Sequence, residues 1–137
     1  PGIPCIYYGD EIGLTGVGDP ACRGCMPWDD KEWDKEIRDW FIELIKQKKN
    51  NQALAKGGVL PLHANNDTFV YGRIHGDEAC LITTNRSQKD KTITIDLRPL
   101  GVTEQKLNSP LSKTTLEPKD GQIELQIPAE SADLYVM

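Results

Sequence analysis

Three small groups near the N-terminus hold the side chains that could do chemistry. Asp10 and Glu11 stand side by side at the end of PGIPCIYYGDEIG, Asp19 and Arg23 stand four apart in DPACR, and Cys22 and Cys25 form a Cys-x-x-Cys. Paired carboxylates can serve as proton donor, base or nucleophile. Neighbours on an extended backbone point to opposite sides, so Asp10 and Glu11 do not converge on one bond. Asp19 and Arg23 put hydrogen-bond acceptors beside a forked donor. As a plain surface ion pair they would only staple the loop, for about 0 to 1 kcal/mol.

The Cys-x-x-Cys taken alone suggests a redox pair or half of a zinc site. Zinc would need two more ligands, and the remaining Cys5, Cys80, His63 and His75 include no second close pair. A redox pair wants a helix starting directly after its first cysteine, whereas Pro27 and Trp28 still read as loop. His63 and His75 have no partner motif and read as ordinary surface or edge residues. No residue pattern asks for a cofactor or metal.

The elements that must position these groups change character twice along the chain. Ile3–Tyr8 is a Pro-bounded apolar run, expected as a buried strand that delivers Asp10 and Glu11 to a rim. GLTGVGDPACRGCMPWDD follows without periodicity, and so long a loop is usually functional. From about Asp30 to Asn51, Trp33, Ile37, Trp40, Phe41, Leu44 and Ile45 recur at spacings of three and four, which predicts one helix with one apolar stripe. Gly57-Gly58 mark its exit.

Beyond Gly58 the period switches to two. Thr92–Leu97 and Gln122–Ile127 alternate, so Ile93, Ile95, Leu97, Ile123, Leu125 and Ile127 should share one buried side. Phe69–Ile74, Ala79–Thr83 and Leu134–Val136 are further expected strands, with a tight turn at Gly76-Asp77. The apolar Cys80-Leu81-Ile82 should be the central strand. The fold class is therefore mainly β with a helical N-terminal part: an antiparallel β-sandwich preceded by a strand, a loop and a helix. A strand, loop and helix is the repeating unit of a β/α barrel, whose active site lies at the C-terminal ends of the strands. The expected division is residues 1–57 and residues 58–137.

At 137 residues, 38% hydrophobic and 27% charged, the composition is that of a globular domain. A net charge of -5 with scattered basic residues argues against nucleic acid as a partner. No apolar run approaches the roughly 20 residues that span a bilayer, which argues against a membrane. Four unevenly placed cysteines read as reduced thiols in a cytoplasmic protein. The sequons at Asn66-Asp67-Thr68 and Asn85-Arg86-Ser87 would matter only in a glycosylating compartment. A chain opening on Pro1-Gly2 reads as a piece of something longer.

GIPCIYYGDEIG, GDPACRGCMPWD, a helix ending in IELIKQKKNNQALAKG and strands ending in IPAESADLYV resemble the C-terminal end of the alpha-amylase family of glycoside hydrolases, in its neopullulanase, cyclomaltodextrinase and maltogenic amylase branch. The resemblance implies that Pro4–Tyr8 is the last barrel strand, that Trp33–Asn50 is roughly the last barrel helix, and that about Gly58 to Met137 is an appended C-terminal β-domain. It implies retaining hydrolysis of α-glucosidic bonds, with catalytic carboxylates upstream of Pro1, so that no residue of this chain is catalytic. Asp10 and Glu11 would belong to a strand-end motif that shapes the site. Asp19 and Arg23 would contact glucose units of an α-glucan oligosaccharide, whose vicinal hydroxyls suit a carboxylate beside a guanidinium. Trp28 would either offer a ring face to a sugar or simply pack.

The alternative is a free-standing β-sandwich that binds carbohydrate or protein. The region beyond Gly58 has only Phe69, Tyr71 and Tyr135 as aromatics, a thin supply for a sugar platform. The helical stripe, without other barrel elements to cover it, should pack on the sandwich or drive self-association.

Overall fold

The computed structural model describes residues 3–137. They fall into two compact units that part between Gln47 and Lys48.

In the first unit, Ile3–Tyr8 forms no strand, which corrects the expectation for Pro4–Tyr8. An extended segment becomes a strand only by hydrogen bonding to a neighbour. Among the described residues nothing pairs with it. Helix α1 runs Lys35–Asn50, a little later than its periodicity suggested. Asp34 sets the start: its Oδ1 accepts the Ile37 N–H at 3.0 Å, satisfying one of the orphan donors of the first turn. None of its residues is fully buried, and Ile37, Trp40, Leu44 and Ile45 are 37%, 43%, 44% and 40% exposed.

The second unit opens with a short helix that periodicity did not reveal. Asn51 interrupts the helical run and caps α2, Gln52–Lys56, by accepting from Leu54 N at 3.0 Å. Eight strands follow: β1 Gly58–Ala64, β2 Thr68–His75, β3 Glu78–Asn85, β4 Lys91–Asp96, β5 Leu107–Asn108, β6 Thr115–Leu116, β7 Gln122–Ile127 and β8 Ser131–Val136. They make a six-stranded sheet in the order β1-β2-β3-β8-β5-β6 and a β4-β7 ladder, with every pair antiparallel.

The order follows from the sequence. Gly76-Asp77 joins β2 to β3 as a two-residue turn, and β3, which holds the buried Cys80 and Leu81, has neighbours on both sides. Pro61 lies in β1, at the edge, where a strand tolerates a missing donor; the register shifts between Pro61 and His63.

The core lies between the two sheets. Val70, Ala79, Leu81, Leu107 and Tyr135 from the larger sheet meet Ile95, Leu125 and Ile127 from the ladder, and Ile93 and Ile123 pack against them partly buried. The alternation of Thr92–Ile127 therefore reads correctly. Leu97 is also buried, but it lies just past β4, at the head of a 3-10 turn, Arg98–Leu100. That turn drives Leu100 onto β2 at Gly72, where an added Cβ would stand 2.3 Å from Leu100 Cδ2. On the outer face of the larger sheet a second cluster gathers Ala53 of α2 with Cys80 and Leu134. Burial pushes the Cys80 thiol up to about 11, so it stays a neutral, apolar filler.

Polar ties close the sandwich ends. Asn85, 2% exposed, holds its Nδ2 at 2.9, 3.2 and 2.9 Å from the carbonyls of Lys89, Ile127 and Pro128. Arg98 forks onto Asp96, Nε to Oδ1 at 2.9 Å and Nη2 to Oδ2 at 2.7 Å.

Two outcomes follow for stability. Leu97→Ala, which empties a fully buried site, should cost about 2 to 5 kcal/mol, and Gly72→Ala about 1 to 3 by overpacking against Leu100. Chemical denaturation of the two variants checks both. The second outcome is acid-dependent. The Arg98 guanidinium holds the Asp96 carboxyl at about 2, below its ordinary 3.8. A depressed carboxylate contributes above its unfolded value and loses that contribution as pH falls through its folded one. The thermal-stability gap between the parent chain and Asp96→Asn should thus be largest above 3.8, shrink toward about 2, and shrink with added salt because the pair is exposed. A gap that is flat with pH would refute this.

Candidate functional site

The adjacent carboxylates are used by their own turn. Gly9 takes a left-handed φ of 89° and opens a 3-10 turn, Asp10–Ile12, whose Ile12 is buried. A side chain at Gly9 would be strained there. Asp10 Oδ2 accepts the Tyr7 N–H at 2.9 Å, and Glu11 Oε2 accepts the Gly9 N–H at 2.9 Å. Each carboxylate thus satisfies a backbone donor that the turn leaves open. The two carboxylates thus engage separate amides.

The following loop folds back on itself at Gly16, where a Cβ would lie 2.4 Å from the Ala21 carbonyl oxygen. Asp19-Pro20 is a cis peptide, and the chain then makes a 3-10 turn, Ala21–Arg23, with Cys22 N donating to Gly18 O at 2.8 Å. That turn brings Arg23 back over Asp19: Nη2 stands 3.0 Å from Oδ2, with the two side chains 69% and 63% exposed. One carboxylate oxygen and most of the guanidinium remain without a protein partner among the described residues. The pair therefore has free acceptor and donor capacity for a hydroxyl-bearing ligand.

Trp28 is 83% exposed and no ring or hydrogen-bond contact ties it to Asp19 or Arg23. Trp33 behaves differently. Its Nε1 donates to Pro27 O at 2.8 Å and Arg38 lies 5.5 Å over its ring, so it is the loop's packing aromatic. Cys22 and Cys25 are exposed free thiols, and no cluster of three metal-ligating side chains occurs among the described residues.

Tyr8 is the contributor that the sequence reading missed. Its hydroxyl donates to Gly24 O at 3.0 Å and its ring tilts against Tyr7 at 4.5 Å between centroids. Desolvation by the surrounding loop, then Tyr7, raises the Tyr8 hydroxyl above its ordinary value. The two tyrosines, Asp10, Thr15 and Cys22 enclose a hollow of about 160 Å³ beside the Asp19 and Arg23 turn. Only the doubled aromatic, YY before GDE, could have signalled this.

The remaining candidates lie in the second unit. His63 Nε2 sits 2.9 Å from Thr68 Oγ1 and 3.1 Å from Asn65 Nδ2, in a hydrogen-bonded turn. Asn85 is buried and occupied, so the folded chain does not offer that sequon; Asn66 is exposed.

Comparison with known proteins bears on the family of the chain. The family model for the alpha-amylase C-terminal domain matches residues 57–135. A cyclomaltodextrinase of Geobacillus thermopakistaniensis is 41% identical over 102 residues, covering 73% of this chain and 17% of that protein. An amylopullulanase of Thermoanaerobacterium thermosulfurigenes is 34% identical over 150 residues, covering 99% of this chain and 8% of its own. Among solved structures, an Anoxybacillus alpha-amylase superposes with a TM-score of 0.88 at 29% identity, covering 99% of this chain and 29% of that one. The chain thus spans less than a third of the length of each of these three proteins. The chain belongs to the alpha-amylase family, and residues 57–135 are its C-terminal domain.

Proposed function

We propose that this chain is the C-terminal part of a longer α-glucan-degrading glycoside hydrolase. Residues 1–57 would end its β/α-barrel domain and residues 58–137 would form the appended β-sandwich. The observation that carries the reading is likeness to glucan-degrading enzymes along 99% of the chain, the loop of Asp19 and Arg23 included. Retaining hydrolysis of α-glucosidic bonds needs two carboxyl groups roughly 5 to 5.5 Å apart, one as nucleophile and one as acid then base. Asp10 and Glu11 each serve a backbone amide instead. The nucleophile and the acid/base are therefore assigned upstream of Pro1, and the 137-residue chain alone should turn over neither maltooligosaccharides, cyclodextrins nor pullulan.

Asp19 and Arg23 hold glucose units beside the reacting bond in this reading, with Trp28 offering a ring face. In the longer enzyme, Asp19→Ala or Arg23→Ala should lower kcat/KM for long substrates by about ten- to a hundredfold and for the shortest ones far less. Stability should move by no more than about 0.5 kcal/mol, because the pair is exposed and solvent-screened. Steady-state kinetics across a maltooligosaccharide series and a melting curve make the test; equal losses at every length would return the pair to a loop staple.

No helix among the described residues is long and apolar enough to cross a membrane. A cytoplasmic setting is proposed on the free thiols Cys5, Cys22 and Cys25. The half-exposed stripe of α1 is the surface through which the 137-residue chain would self-associate. Sedimentation should show a concentration-dependent species that Trp40→Glu abolishes, and a monomer in both would remove the claim.

A further inference from the structure

We propose that the sandwich carries a binding site of its own for a neutral polyhydroxylated chain, a segment of α-glucan, in the hollow between Phe69 and Arg86. The choice of α-glucan rests on the function proposed above; the site itself rests on geometry. The hollow measures about 370 Å³ and is bordered by Asn66, Asp67, Phe69, Thr84 and Arg86. That is within the range of small-molecule pockets.

Sequence composition gave the sandwich few aromatics, but the structure brings two of them together. Phe69 and Tyr71 project from the same side of β2 and stack at 5.1 Å between centroids, 25° apart, both only partly buried. A stacked pair of that kind offers the apolar face that the C–H side of a sugar ring covers. Around Phe69 stand planar polar groups with capacity left over. Arg86 donates Nε to Asn66 O at 2.7 Å, which fixes the guanidinium while its terminal nitrogens take no partner among the described residues. Asn66 is exposed, and its side-chain amide takes no partner among the described residues. An amide and a forked guanidinium match the donor and acceptor pattern of vicinal hydroxyls.

The site is held rigid. Asn65 Oδ1 accepts from Asp67 N at 2.8 Å and Thr68 N at 2.7 Å, Thr84 Oγ1 donates to Phe69 O at 3.0 Å, and Asn85, next to Arg86, is locked by three carbonyls. Preformed groups lose little freedom on binding. Charge favours a neutral ligand over an anion, since the Asp67 carboxylate lines the hollow with Arg86, lies within electrostatic reach of it and would repel an anion. Position favours access. Thr68 pairs with Asn85 at this end of the β2-β3 hairpin, whereas α2 and Gly57 engage the other end, through Gln52 N to Glu78 Oε2 at 2.6 Å and Arg73 Nη2 to Gly57 O at 2.7 Å.

The experiment is a titration of the 137-residue chain with maltoheptaose, read by amide NMR. Residues 65–69 and 84–86 should shift together, and Arg86→Ala or Asn66→Ala, both on exposed side chains, should weaken the apparent affinity about tenfold or more. Phe69→Ala should abolish the shifts; the two exposed variants keep the test decisive if it unfolds. Silence of these amides up to about 10 mM sugar, or identical shifts with inorganic phosphate, would overturn the proposal. A longer enzyme that hydrolyses α-glucans while this hollow stays silent would sink the site alone. An enzyme inactive on α-glucans, with the hollow still answering maltoheptaose, would sink the function and leave the site.

Discussion

Leu100 rests on the backbone of Gly72, inside the one core that residues of both sheets share. No backbone ladder joins β4-β7 to the six-stranded sheet, so apolar contact, with side-chain ties such as Asn85 to the Ile127 carbonyl, must hold the layers together. Leu97, Leu100, Val102 and Leu107, each at most 2% exposed, all fall between β4 and β6, where the chain passes from the ladder to the larger sheet. A residue with a Cβ at position 72 would lift this plug off β2. The outer α2 cluster and the Asn85 tie both depend on β3 holding its place in that packed sheet.

That explains what could be read from the sequence and what could not. Period-two alternation has one physical cause, a strand with one wet face, so β4 and β7 and the inward set from Ile93 to Ile127 were legible. Leu100 and Val102 are core residues without a period, because a 3-10 turn and a loop present them. The two-residue strands β5 and β6 are too short for any pattern. Helix α1 was legible from its stripe, but its start was decided by one side chain, Asp34, and its separation from α2 by another, Asn51. Ile3–Tyr8 failed as a strand for the opposite reason. Its pattern is that of a strand, but pairing is a tertiary fact that pattern does not contain.

The site divides in the same way. The extended backbone expected for Asp10 and Glu11 is a 3-10 turn in the structure, and their actual work, accepting from Tyr7 N and Gly9 N, depends on that turn, which Gly9 makes possible. Cys22 and Cys25 of the Cys-x-x-Cys are exposed free thiols. Tyr8, which looked like strand core, ties the loop through Gly24. Phe69 and Tyr71 were counted as a thin supply of aromatics, yet a count does not register that residues two apart on one strand share a face.

The exposure of Asp19 and Arg23 bears on why both residues stand there. An ion pair with both side chains mostly in water stabilises a fold by at most about 1 kcal/mol, so the architecture does not need it. Gly16 and the backbone bonds of the turn already close the loop without help from the pair. What the pair does provide is a held guanidinium beside an oxygen with spare acceptor capacity, at the surface. Under the function proposed above, a ligand rich in paired hydroxyls would replace the water on these atoms with hydrogen bonds of its own, without introducing a charge that the pair would have to neutralise.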